Sequence, residues 1–143
     1  MRDISNKTVA VATQVPAVVT ADADGTTVDL KGFQSAMVVV NSGIEGDTLS
    51  GSVKFDFILE ESDNDSDWSA VTSSTSVTEG SVDSSGIFLT LDANGETPQC
   101  SQIGYIGGSR YIRCKIDATG THSNGTPIGV VVVKGNPMDS EDA

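Results

Sequence analysis

The sequence predicts an all-β fold: a single-domain β-sandwich or jelly-roll-like barrel of about seven to nine mostly antiparallel strands, with an extended N-terminal arm. Three observations predict it. The apolar residues are mainly Val, Ile and Ala, and β-branched side chains favour the pleated strand. The usual helix formers Leu, Glu, Lys and Arg are sparse. Short apolar or alternating runs are separated by Gly, Asn, Asp and Ser clusters that read as turns. With 143 residues and 37% hydrophobic side chains, the chain is long enough and apolar enough for one packed core.

Residues 1–20 read as an arm or edge strand. Thr8–Thr20 is small and apolar, and Pro16 interrupts it, so its strand is expected to be short or at an edge because proline donates no ladder hydrogen bond. Val9, Val11, Val15 and Val18 are its candidate partner-contact residues, should the arm add a strand to a neighbour. The sandwich then occupies 21–137. Thr26–Leu30 alternates after the Asp22–Gly25 turn, and Ser35–Asn41 is a continuous apolar run that suits a central strand buried on both faces. Val53, Phe55, Phe57 and Leu59 alternate with Lys54, Asp56, Ile58 and Glu60, giving a period-2 strand with an aromatic-rich core face.

Trp68 and Val71 begin a returning strand, Ser73–Ser85 reads as a long loop, and Ile87–Leu91 is a strand. Asn94-Gly95 is a turn signal. Ile103–Pro137 reads as a closing β-hairpin, its two runs separated by the polar Thr119–Gly125 linker. Alternation places Ile112, Cys114 and Ile116 in the core, with Tyr111, Arg113 and Lys115 on the opposite face. Residues 138–143 form a short acidic tail expected to fray.

Twenty acidic against eight basic side chains leave a net charge of −12, which repels nucleic-acid phosphates. No apolar run approaches the roughly 20 residues of a membrane helix, and the first residues lack a signal-peptide pattern. The product is therefore expected to be soluble and made in the cytoplasm. Arg110, Arg113 and Lys115 concentrate three of the eight basic residues on one strand. They either pair with nearby carboxylates or meet an acidic partner surface.

The residues offer little chemistry. Asp63, Asp65 and Asp67 are the one metal-like set, spaced as in a calcium loop. Trp68 stands where that loop needs glycine and Ser74 where it needs a bidentate glutamate, so a solvated hairpin turn is the favoured reading. His122, the single histidine, is expected to be exposed in its linker. Cys100 and Cys114 form neither a zinc set nor a nucleophile signature. Gly104–Gly108 lacks the lysine and following helix of a phosphate loop. No catalytic residue, metal or cofactor is expected, and the protein is read as a non-enzyme.

Three blocks carry a resemblance: Val28–Val40; Phe57–Trp68; and Ile-Gly-Tyr from Ile103, followed by Arg110-Tyr-Ile-Arg113 and Gly129–Pro137. In this order they resemble the small head decoration, or capsid cement, proteins of tailed bacteriophages, over residues 28–137. The resemblance implies a module on the outside of an icosahedral head, the capsid exterior of the virion. There it would bind the major capsid protein, commonly as a trimer, and stabilise contacts between capsid subunits, with no role for nucleic acid or membrane. Two other readings stay open: a tail or head–tail completion protein, and a carbohydrate- or calcium-binding sandwich in which Trp68 is the candidate sugar platform.

Overall fold

The computed structural model describes residues 3–138. Its strands are β1 (Val9–Val19), β2 (Ala23–Asp24), β3 (Val28–Asp29), β4 (Phe33–Ser42), β5 (Lys54–Ser62), β6 (Ser69–Ala70), β7 (Val77–Thr78), β8 (Ile87–Leu91), β9 (Gln99–Tyr105), β10 (Tyr111–Thr119) and β11 (Thr126–Pro137). The one helical element among the described residues is a 3₁₀ turn at Ser74–Ser76. Four of the eleven strands are two residues long, so the seven of five residues or more make up the body of the fold.

They form two open sheets and no closed barrel, so of the two expected architectures the molecule is the sandwich. One sheet has the order β1-β11-β4-β9-β7. The other has the order β2-β10-β5-β6, with β3 also on β10 and β8 also on β5. Every pairing is antiparallel. Alternation sets what each strand buries. Val38, Val40, Val130 and Val132 from the first sheet face Phe55, Phe57, Leu59, Ile112, Cys114 and Ile116 from the second, all fully buried. The expected core faces of β5 and β10 are as read.

The expected closing hairpin is not one. β10 lies in the second sheet against β5, and β11 lies in the first between β1 and β4. The six-residue linker 120–125 crosses the end of the sandwich instead of turning within a sheet. Gly120 (φ 81°) and Gly125 (φ 73°) provide the left-handed corners of that crossing. His122, expected to be exposed, is 5% exposed. Its ring lies on Phe55 with centroids 4.1 Å apart, and its Nε2 is 3.0 Å from the Thr119 carbonyl. A linker that caps the open end of a two-layer core must supply something apolar to cover it, and the imidazole face does so.

Two further expectations change. Ser35–Asn41 lies in a central strand, but only Ala36, Val38 and Val40 are buried; Met37 and Val39 point away from the core and are half-covered. Ser73–Ser85 is a pinned segment: Val77 is buried, and β7 pairs with β9 at Tyr105 and Gly104. The acidic tail lies outside the described residues apart from Met138, as do residues 1 and 2 of the arm.

Candidate functional site: two unlike outer faces

The sandwich presents two outer faces, and cross-strand register fixes what each carries. On the β2-β10-β5 sheet the rows read Asp24–Lys115–Ile58, Arg113–Glu60 and Asp117–Asp56–Thr90. Charge runs through every one of them. Arg113 Nε donates to Glu60 at 2.6 Å, and its guanidinium lies over the Trp68 ring, 4.3 Å from the centroid. Lys54 reaches Asp56 at 3.2 Å, and Thr90 Oγ1 donates to the same carboxylate at 2.6 Å. Arg110 makes a two-pronged contact with Asp29 at 3.0 and 2.9 Å. That guanidinium beside it holds the Asp29 carboxyl down at about 2.

Arg110 and Arg113 are thus neutralised within the chain, and Lys115 stands in register with Asp24. The concentrated basic strand is largely balanced by its neighbours. Asp117 lies between Asp56 on β5 and Asp22 on the β2 side; burial and these like charges push its carboxyl up. Trp68 sits half-buried, with the Arg113 guanidinium over one face of its ring.

The other outer face is of a different kind. Its two central rows are Ala10–Val133–Met37–Gly104 and Ala12–Val131–Val39–Gln102. The flanking rows add Gly135–Ser35 and Gly129–Asn41–Cys100. None of these positions is Asp, Glu, Lys or Arg. Along the sheet edge Val15 is 66% exposed and Val18, opposite Pro127, is 59% exposed, whereas Val9, 45% exposed, belongs to the other row, opposite Lys134. Val11, the fourth residue of that set, instead turns inward opposite Val132 and packs on the core. A shallow concavity runs along this face between Pro16, Val39, Cys100 and Val131.

One edge of this sheet is tied to the other sheet through Thr13, which is 1% exposed. Its hydroxyl donates to the Thr26 carbonyl at 2.8 Å and accepts from the Cys114 amide at 3.3 Å. The register of β1 slips on either side of Gln14, where Thr13 leaves the ladder to make these bonds. Gly25 passes over the same point; a Cβ there would stand 2.3 Å from the Cys114 carbonyl oxygen, so no larger residue fits.

The acidic loop closes on itself. Asn64 Oδ1 accepts from the Ser66 and Asp67 amides, Asn64 Nδ2 donates to Asp67, and Thr27 Oγ1 donates to Asp65 at 2.6 Å. Asp63, Asp65 and Asp67 do not converge, and no group of three or more potential metal ligands is found among the described residues. Cys100 is exposed on the outer face of β9, whereas Cys114 is in the core of the opposite sheet; both are free, and burial pushes the Cys114 thiol far up. A partly buried pair was missed by sequence reasoning: the Tyr105 hydroxyl donates to Glu61 at 2.5 Å and accepts from the Ser109 amide. Burial, then Glu61, pushes the phenol up to about 12. No sequence signal links residues 44 apart on different sheets.

No protein-family model matches the chain, and no curated protein is similar to it in sequence. Among solved structures, the sandwich is similar to a protein derived from the SPBc2 prophage, YomS, with a TM-score of 0.51 and 12% identity. The match covers 89% of this chain and 91% of that one, so the likeness extends over the whole sandwich, and it is a likeness of fold.

Proposed function

We propose that this chain is a structural protein of a tailed-phage particle, a decoration or cement subunit that adheres to the outer surface of the head and bridges neighbouring major capsid protein subunits. The observation that carries the reading is the charge-free outer face of the β1-β11-β4-β9 sheet in a protein of net charge −12. Half-exposed valine and methionine on β4 and β11, flanked by uncharged residues of β1 and β9, are the mark of a covered surface. The opposite face, with its internally paired charges, is suited to remain in solvent. The whole-chain fold likeness to a prophage-derived protein supports a phage origin. In this reading the protein works by contact, not by reaction, and many weak attachments repeated over a lattice add up to firm binding.

The test is binding of the purified protein to heads that lack it, read as copies per particle. Met37→Lys or Val131→Lys places a charge in the contact and should weaken binding about tenfold or more, because an unpaired charge must be desolvated. Lys115→Glu, on the other face, should leave occupancy unchanged. Full occupancy by both lysine variants, or only a few copies per particle, would overturn the proposal, the latter in favour of a head–tail joint.

A further inference from the structure

We propose that the open edge of β1 pairs with β1 of a second copy of this chain, antiparallel and about a two-fold axis near Val11. Most edges of the two sheets are blunted by shortness: β2, β3, β6 and β7 are two residues each and β8 is five. β1 has eleven residues and a strand partner on one side only; away from β11 the Thr13 carbonyl accepts from the Thr26 amide at 2.6 Å, which leaves Val9–Ala12 as the free stretch before it. Its first stretch, Val9–Ala12, is in unbroken register with Val131–Lys134, ahead of the slip at Gln14 and the interruption by Pro16. Among the described residues, Val9–Ala12 makes no backbone hydrogen bond outside that ladder. An exposed antiparallel edge is self-complementary, because a two-fold axis brings each donor opposite an acceptor.

Self-complementarity selects the second copy as the occupant, and the lack of charge on this stretch permits it. Two chains of net charge −12 repel, and residues 8–21 are a stretch of the chain without a charged side chain. A two-fold at Val11 sets Ala10 opposite Ala12 of the partner. The row Met37–Val133–Ala10 then runs on into the partner's matching row, and the charge-free face of one copy becomes continuous with that of the next. Alanine at the junction keeps the two strands unobstructed. The contact is shorter than the roughly 800 Å² per partner of a tight interface, so the dimer should form and dissociate with concentration.

Self-pairing is measured on the isolated protein, so its failure is separate from failure of head binding. Sedimentation velocity over a concentration series should show a shift from one chain to two. The double variant Ala10→Lys/Ala12→Lys sets lysine against lysine across the axis and should stay monomeric, and so should Ala10→Asp/Ala12→Asp. Both positions are exposed, and an unchanged melting temperature checks that the fold is intact. An equal mixture of the two variants should recover the two-chain species, since each lysine then meets an aspartate. A wild-type protein that stays monomeric throughout, a three-chain species, or a mixture that fails to recover association would overturn the proposal. Binding of an unrelated strand peptide without self-association would assign the edge to another partner.

Discussion

The two outer faces are built on the same pleat and the same alternation, yet one is laced with charge and the other has none. Arg113, Glu60, Lys54 and Asp56 lie across the β10–β5 ladder, and Val131, Val133, Val39 and Met37 lie across the β11–β4 ladder. Both strand pairs bury equally apolar inner faces, so core packing does not explain the contrast. A sheet stabilised from within is free to vary its outside, and under the proposed function each outside matches what it meets: water on one side, a partner on the other.

If this division is right, stability resides between the sheets. Phe57→Ala should lower unfolding free energy by about 3–5 kcal/mol, and Val133→Ala on the charge-free face should cost under about 0.5 kcal/mol, compared by urea denaturation. Equal costs would mean that the outer valines pack on something within the chain. On the charged face, Arg113→Ala removes a short ion pair with both side chains largely covered, and a cation–π contact, and should cost about 2 kcal/mol. Arg110→Ala breaks an exposed pair and should leave the melt unchanged at neutral pH.

Two pH effects sharpen the picture further. The Tyr105 phenol is raised in the folded state, so the fold keeps a proton that the unfolded chain releases. Stability should therefore fall as pH rises from about 10 towards about 12, and Tyr105→Phe should remove that slope. The Asp117 carboxyl is also raised, which means that its charge opposes folding at neutral pH. Asp117→Asn should raise the melting temperature slightly at pH 7, and the advantage should vanish as acid protonates the wild-type carboxyl.

Much of this was legible in the sequence where the information is local. The period-2 pattern of Phe55, Phe57 and Leu59, and of Ile112, Cys114 and Ile116, gave the inner faces directly. The pairing of strands was not legible, because alternation says which way a side chain points and nothing about which strand lies alongside. The Gly-rich linker after β10 has the composition of a hairpin turn, and composition does not distinguish a turn within a sheet from a crossing between sheets. The charge-free face was hidden for a related reason. A run such as Val38-Val39-Val40 reads as buried on both sides, and only the register shows that alternate members reach the surface. His122 was misjudged because its neighbours are polar in sequence while its ring lies on Phe55, far away along the chain.

Among the described strands, β5 and β6 are the one pair of sequence neighbours that hydrogen-bond to each other; the remaining ladders join segments distant along the chain. β11 lies between β1 and β4, so the first sheet has no continuous centre until residues 126–137 are available. Such a chain must close long loops before most of its contacts reward it, which predicts slow, millisecond-to-second folding. On the ribosome, β1 and β4 must wait, with their valines uncovered, for the strand that joins them, and chaperones have that interval in which to act.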